Sequence, residues 1–514
     1  MGNGDFDVVI IGGGITGAGI FRELSATGLD VCLLEQGDFG SGTSSKSSKL
    51  VHGGLRYLKQ GDLLLTLESV HHRERLLQEA PGLVEPVEFV MPLYQNRSPG
   101  KFSLGAGLFL YDLMALKKRH SFSGPGRMLR RLPGLKPEGL TGGYSFLDAT
   151  TDDALLVARL VHEGLKFPKA SARNYCTVSG IVPSSASGKR IVQVKDGITG
   201  NERELETKLV INATGIRADR FHPLPDRNLR IRPLKGSHIL VKKTALDLPS
   251  AVSLIHPGDG RPVFLIPWEG VLLVGTTDLD AGSSTDLSIR ANEREYLLEG
   301  VKAVFPESGI KQNDIVSSFS GLRPVISRKD AKPSDESREH LVWESDGIIS
   351  ATGGKLTTFR KLAWDVVKKA KSRFPHSIRI NRKTGVFPAA AHSLNPVERR
   401  ILGRYGGPVD MKDLERRKLL VPVGHSETVL AEIEIASGDP TVRHLDDLML
   451  RRLRLGIVLE NGGMDIMDTV KKLAGENLGW DAARWEREIE RYRRIHRQFF
   501  APFPEKGPTG GADE

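Results

Sequence analysis

Cysteine is nearly absent: Cys32 and Cys176 are the only two in 514 residues. Two are too few for a disulfide framework and point to a reducing compartment. Aromatic residues make up 6%. With no recognisable nucleic-acid module and no aromatic stacking platform, nucleic acid is not an expected partner. No stretch reaches the roughly 20 uninterrupted apolar residues of a membrane-spanning helix. The nearest, Phe102 to Leu116, is interrupted by Tyr111 and Asp112, which leaves binding to a membrane surface open. The opening Met1-Gly2-Asn3-Gly4-Asp5 runs straight into an apolar segment and reads as leaving no room for a signal or transit peptide. Phe6 stands where a myristoylation pattern needs Ser or Thr. Internal repeats are lacking, and no metal site is expected.

What is present is ordinary globular composition, 39% hydrophobic and 26% charged, over a length that suggests roughly three domains. Basic residues outnumber acidic ones, 73 to 63, for a net charge of +10. Such an excess suits a phosphorylated substrate, an acidic membrane surface or simply a solvated basic face.

Asp7 to Ile11 is a short apolar run ending in glycines, Ile15 to Thr27 reads as a helix, and Val31 to Leu34 is a second apolar run ending in Glu35. Strand, helix and strand within about 30 residues make a βαβ unit. Gly61 to Glu79 and Asp152 to Leu165 have helical spacing, and His120 to Lys136, rich in Gly, Pro and Arg, reads as irregular. Leu209 to Ala213 and Gly347 to Ala351 are further buried-strand candidates, the latter leading into a helix from Thr357 to Ala370. Ser237 to Val241, Val263 to Pro267 and Val271 to Val274 are strand-like, the last two joined by a hairpin through Trp268-Glu269-Gly270. From Pro388 the chain turns to charged helices, including Asp446 to Leu459 and Asp481 to Phe499.

Gly12-Gly13-Gly14-Ile15-Thr16-Gly17 fits G-x-G-x-x-G between strand and helix. Gly12 permits the tight turn, Gly14 lets backbone approach a pyrophosphate, and Gly17 lets helix pack on strand. The helix start offers free N–H groups and a positive dipole end. Glu35 can accept from both ribose hydroxyls and would repel a 2′-phosphate. FAD and NAD share this fingerprint. Asn212-Ala213-Thr214-Gly215 after a buried strand, Gly353-Gly354-Lys355 opening a helix, and the lack of a second G-x-G-x-x-G flanked by strand and helix favour one tightly held flavin.

GSGTSSKSSKLVHGGLRY (Gly40 to Tyr57), LKGSHILV (Leu234 to Val241), GTTD (Gly275 to Asp278), SGLRP (Ser320 to Pro324) and GGKLTTFRKLA (Gly353 to Ala363) together resemble the FAD-dependent glycerol-3-phosphate dehydrogenase family, within the D-amino-acid-oxidase-like flavoenzymes. The resemblance runs from about Asp7 to about Phe500. It implies an α/β, Rossmann-like FAD-binding domain built discontinuously from 1–75, 150–225 and 335–383. An antiparallel-sheet substrate (cap) domain would come from 76–149 and 226–334, and an α-helical domain from 384–500, with a disordered tail at 501–514.

The same resemblance implies FAD contacts by Gly12, Gly14, Ile15, Thr16, Gly17, Glu35, Thr43, Ser44, Ser45, Ser48, Lys49, Leu50, His52, Ala213, Thr214, Gly215, Gly354, Lys355, Leu356 and Thr357. Substrate would be held by His52, Arg56, Tyr57, His238, Arg323 and Lys355. A phosphate dianion wants forked guanidinium donors, which Arg56 and Arg323 offer, and Lys355 adds a point charge. Removing the C2 hydroxyl proton while hydride leaves for flavin N5 calls for a base that is neutral near pH 7. His238 is the first candidate and His52 the second, with Arg323 and Lys355 completing the catalytic set. Phe264, Trp268 and Thr276 to Asp278 serve equally well as core and turn residues. One departure is that Asp152-Asp153-Ala154 is followed by Leu155-Leu156, where family members usually carry an Arg; this is expected to remove an ion pair or an interdomain contact.

The implied activity is oxidation of glycerol 3-phosphate to dihydroxyacetone phosphate, with electrons passed to a membrane quinone. The place of work is cytoplasmic, peripheral on the inner face of the cytoplasmic membrane, and a homodimer is compatible with the resemblance. Two regions suit contact with anionic lipid head groups: Lys101 to Arg119, apolar with Lys117, Lys118 and Arg119 at its flank, and the basic set Arg451, Arg452, Arg454, Arg491, Arg493 and Arg494. The rival readings are an oxidase that passes electrons to O₂ and makes H₂O₂, and an amine or amino-acid oxidase in which Arg56 and Arg323 clamp a carboxylate.

Overall fold

The computed structural model describes residues 4–504 except 56–61, 96, 98, 186–187, 283–285, 329–339, 377, 380, 389–393 and 408. In the strand Asp5–Ile11, Val8 and Ile10 belong to one apolar cluster and Val9 and Ile11 to another. A strand buried on both faces belongs in the middle of a parallel sheet. It is paired in parallel with Val31–Leu34 on one side and Glu202–Asn212 on the other. Ala170–Arg173 and Ile348–Gly353 extend the sheet, also in parallel. The helices Ile15–Ser25, Asp153–Leu165 and Phe359–Ala370 cover one face, their Phe21, Leu156 and Val366 joining the cluster of Val8 and Ile10.

Among the described residues the second sheet has ten strands. Its two longest, Leu229–Lys242 and Ile315–Arg328, run antiparallel with Gly236 opposite Gly321 and His238 opposite Phe319. The expected hairpin joins Pro262–Trp268 to Val271–Gly275, Trp268 opposite Val271. Its two turn residues, Glu269 and Gly270, both have positive φ, +52° and +84°, the geometry that matches a two-residue hairpin to strand twist. The sheet is mixed, because Ala251–Ile255 lies parallel to Val84–Tyr94.

The segment read as irregular, His120 to Lys136, contains a short strand, Ser121–Ser123, and a helix, Pro125–Arg131. Proline at the first helical position gives up an N–H that would have no partner anyway, so the residue that suggested a break begins a helix.

Leu155 and Leu156 are buried in the core, worth roughly 1.5–3 kcal/mol each. The acidic pair ahead of them is partnered from elsewhere in the chain: Asp152 and Asp153 are paired with Arg454, and Asp153 also with Lys49. That contact reaches the C-terminal helices and corrects two further expectations. First, Asp446 to Leu459 is not one helix. It breaks into Leu445–Asp447, a wider turn at Leu448–Arg452 and Leu455–Val458, with Arg454 at φ +63°. Second, Arg451, Arg452 and Arg454 are not a membrane-facing set. They are 7%, 1% and 2% exposed and are paired with carboxylates. Arg491 is half-buried against Asp446. The same helical region also grips the hairpin turn, where Glu269 is paired with Arg400 and Arg404. At the chain's end, Ser318 N–H donates to Phe500 O at 2.9 Å and Ser318 Oγ to Ala501 O at 2.7 Å; residues 505–514 lie outside the described residues.

Candidate active site

The first strand delivers Gly12, Gly13 and Gly14 to the start of the helix Ile15–Ser25. A Cβ on Gly12 (φ +104°) would lie 2.6 Å from Ala213 O, and one on Gly17 would lie 1.8 Å from Gly12 O. Each glycine therefore stands where backbone meets backbone. Ser44 Oγ accepts the Ile15 N–H at 2.9 Å, which fixes the loop carrying Thr43 and Ser45 beside the helix start, where Thr16 is the second residue. Glu35 accepts Gly13 N–H through Oε2 at 2.7 Å and Gly37 N–H through Oε1 at 2.9 Å. Each oxygen keeps a lone pair for a ribose hydroxyl. Burial pushes the Glu35 carboxyl above the usual range, against the pull of those two N–H groups. Thr214 Oγ1 donates to Asn212 Oδ1 at 2.7 Å, and Thr352 Oγ1 to Gly215 O at 2.8 Å, so Ala213, Thr214 and Gly215 close the same cradle. A cradle that Cβ atoms would fill, with a carboxylate at the end of the second strand, fits the adenosine and pyrophosphate of FAD.

Thr43 Oγ1 donates to Leu322 O, and Lys49 Nζ donates to Ser45 O at 2.7 Å. Leu50 pairs with Thr150 in a short strand and leads to His52. Gly353 and Gly354 both have φ +78°. The following helix begins at Phe359, so Lys355 sits in the loop ahead of the helix rather than at its start. Lys355 Nζ lies 3.2 Å from Ser69 Oγ, Leu356 packs on the core, and Thr357 Oγ1 donates to His52 O at 3.2 Å.

A cavity of about 1240 Å³ opens beside His52. Leu50, Phe89, Phe146, Asp148 and Phe264 also line it. Trp268, by contrast, is a core residue, 5% exposed. Arg56 and Tyr57 lie outside the described residues. Arg323 reaches Thr276 Oγ1 at 3.3 Å and Asp278 Oδ1 at 3.5 Å, so SGLRP and GTTD meet. His238 is 1% exposed, stacked on Phe319 at 4.9 Å, with Nε2 2.9 Å from Ser48 Oγ. Its Nδ1 has no hydrogen-bond partner among the described residues. Burial, then Arg323 and Lys49, hold the imidazole well below its ordinary pKa, so it is neutral at pH 7. His52 is among the residues that line the cavity, and His238 is not.

One cluster escaped the sequence reading. Asp148 accepts from Gly53 N at 3.2 Å, Tyr111 Oη at 3.0 Å and Arg73 Nη1 at 2.8 Å, and so fixes the backbone next to His52. The signal was Tyr111, a hydroxyl inside a mostly apolar stretch, which must find a partner once buried.

The profile of the FAD dependent oxidoreductase family matches residues 7–360. An aerobic glycerol-3-phosphate dehydrogenase of Staphylococcus haemolyticus is 35% identical over 74% of this chain and 69% of its own. One of Bacillus subtilis is 36% identical over 72% and 67%. The crystal structure of glycerol-3-phosphate dehydrogenase from Bacillus halodurans complexed with FAD superposes with a TM-score of 0.75 at 24% identity, covering 98% of this chain and 96% of that one; it supports the fold. The chain belongs to the FAD-dependent oxidoreductases and, among them, to the glycerol-3-phosphate dehydrogenase family. Its cofactor is FAD.

Proposed function

We propose that this protein oxidises sn-glycerol 3-phosphate at C2 to dihydroxyacetone phosphate and passes the electrons to a quinone at the membrane surface. The observation that carries the reading is the place of His52: it is one of the residues that line the cavity, and its carbonyl is bonded to Thr357 of the Gly354–Thr357 loop. One residue thus joins the proposed flavin loop to the space where a substrate enters. The relatives at 35–37% identity are aerobic glycerol-3-phosphate dehydrogenases, which supports the choice of substrate.

Bound FAD supplies the hydride acceptor, flavin N5. His52, on the cavity wall, takes the hydroxyl proton. His238, buried and neutral, is the second candidate, its ring oriented by Ser48. Arg323 offers a planar guanidinium fork to the phosphate, and Lys355 a compact charge. The guanidinium also faces Asp278, whose carboxylate keeps the fork in one orientation until a dianion arrives.

Among the described residues no helix is long and apolar enough to cross a membrane. Docking is instead assigned to the helix Lys101–Ala115. Phe102, Phe109 and Leu113, with Leu116 just beyond its end, are 88%, 65%, 58% and 85% exposed. Spaced by seven, four and three residues, they form a single stripe. Lys101, Lys117 and Lys118 bracket it with positive charge, as an anionic lipid surface requires. Leu104, Gly107 and Leu110 of the same helix line the cavity, so an apolar quinone reaches it from the lipid side.

The test is anaerobic bleaching of the flavin band by glycerol 3-phosphate, followed by reoxidation. Rapid bleaching reversed mainly by a quinone analogue supports the dehydrogenase, and reversal mainly by air supports an oxidase. No bleaching with flavin bound overturns the substrate assignment.

A further inference from the structure

Three arginines on one turn of the C-terminal helical region end in loops of the nucleotide-binding sheet. Arg452 forks onto Asp38, with Nη1 to Oδ2 and Nη2 to Oδ1 both at 2.9 Å, and Arg451 Nε meets Asp38 Oδ2 at 2.5 Å. Arg454 Nε is 3.0 Å from Asp152 Oδ1, and Arg454 Nη2 reaches Asp153. The side chains of Asp38, Asp152 and Asp153 are 0% exposed. Taking these charges out of water costs several kcal/mol per ion, which an apolar contact would not. An arrangement this expensive places its partners in one geometry.

Both loops that it fixes lead to the cofactor cradle. Asp38 stands three residues after Glu35. Its neighbour Phe39 occupies the space beside Gly13, where a Cβ would lie 2.5 Å from the ring. Gly40 N–H donates to Gly13 O at 2.9 Å. On the other side, Asp153 holds the segment 43–50: Oδ2 accepts Ser47 N–H at 2.9 Å and Ser47 Oγ at 2.7 Å, and both carboxylate oxygens accept from Lys49 Nζ. Arg454 also lies 3.4 Å from Ser45 O. One turn of the C-terminal region therefore reaches the loop that carries the ribose carboxylate and the loop that caps the helix start.

We infer that docking of the C-terminal helical region and binding of FAD are thermodynamically coupled through Arg451, Arg452 and Arg454. The three are positioning residues. They hold both loops in the form that receives the dinucleotide, and FAD, by fixing the same loops, holds the helical region in place. Coupling of this kind is reciprocal: whatever factor one event gains from the other, the other gains in return.

The experiment uses the full-length protein, stripped of FAD and reloaded, with limited proteolysis and FAD titration as readouts. Trypsin is expected to cut within 384–500 at least tenfold faster without FAD than with it. Arg452→Gln and Arg454→Gln are expected to raise the FAD Kd at least tenfold with an unchanged far-UV spectrum, and to shrink the rise in Tm on adding FAD. Arg452→Lys is expected to recover part of the affinity. A merely structural brace would lower the Tm of both forms equally and leave the FAD-induced rise intact. That result, or cleavage at the same rate with and without FAD, overturns the coupling. If Arg452→Gln does not fold, the paired exchange Asp38→Asn with Arg452→Gln removes the fork from both ends, leaving Arg451 with Asp446 and Asp447 and Asp439 with His162, and takes its place, and the wild-type proteolysis decides by itself.

Discussion

Lys49 Nζ lies 2.8 Å from Asp153 Oδ1 and 2.9 Å from Oδ2, with both side chains wholly buried. Lys49 adopts φ +59° to make the contact, a left-handed conformation costly for a residue with a Cβ. Burial pulls its ammonium down to about 8, while Asp153, facing Lys49 and Arg454, is held below the usual carboxylate range. The pair shapes the segment from which Ser48 reaches His238.

Asp153→Asn should therefore do more damage than an exposed ion pair would predict. It leaves the buried Lys49 ammonium without its carboxylate and Arg454 with Asp152 alone, a loss of about 3–5 kcal/mol. Denaturant unfolding of the holoprotein measures it, and a loss below about 1 kcal/mol, the scale of a surface pair, would contradict this account.

The charge network explains where the sequence stopped being informative. The glycine turn, Glu35 and the hairpin at Glu269-Gly270 were legible because each depends on neighbours in the chain or on a short motif. The pairing of Arg451 with Asp38 was not, since Asp38 lies 413 residues earlier. A basic side chain reads the same in a sequence whether water or a distant carboxylate will surround it. The break at Arg454 was hidden as well: the apolar spacing from Leu445 to Leu459 continues through it, while Arg454 turns to φ +63° and pairs with Asp152 and Asp153. Tyr111 and Asp148 were each visible, but nothing local joins them.

Glu35→Ala should cost FAD affinity without unfolding the sheet. It deprives Gly13 and Gly37 N–H of their acceptor as well as removing the ribose contact. At about 1–3 kcal/mol for each unsatisfied buried group, the FAD Kd should rise at least tenfold, as flavin fluorescence titration would read. Glu35→Gln keeps one acceptor oxygen and should fall between.

Arg323→Ala separates substrate from cofactor. Among the described residues the guanidinium is bonded to Thr276 and Asp278. Hydrogen bonds to charged groups contribute about 1.5–3 kcal/mol, so KM for glycerol 3-phosphate should rise roughly 10- to 100-fold with the FAD Kd unchanged. Equal loss of both would make the residue structural.

Acid should loosen the hairpin from the C-terminal helices through Glu269. Arg404 and Arg400 hold its carboxyl down at about 2 although it is buried. A carboxylate whose folded pKa is depressed stabilises above its unfolded pKa, near 4.3, and that contribution is lost as pH falls through about 2. The size is about 3 kcal/mol, from 1.36 kcal/mol per unit. Thermal melts between pH 5 and pH 2 should show a descending limb that Glu269→Gln flattens, starting from a lower plateau. A limb of unchanged slope in the variant would place the acid sensitivity elsewhere.

The membrane assignment turns on one helix face. Phe109→Glu and Leu113→Glu alter side chains that are 65% and 58% exposed, so folding and FAD content should be unaffected. Each replaces an apolar contact with a charge repelled by anionic lipid. Sedimentation with vesicles of 30% phosphatidylserine should fall at least tenfold in the double variant, while bleaching by glycerol 3-phosphate keeps its wild-type rate. Turnover with a long-chain quinone in those vesicles should fall with the sedimentation, and turnover with a short water-soluble quinone should not. If vesicle binding survives the double variant, the helix is not the docking face. If both quinones fail together, the two residues act on the flavin site itself and the route from the bilayer through Leu104, Gly107 and Leu110 is wrong.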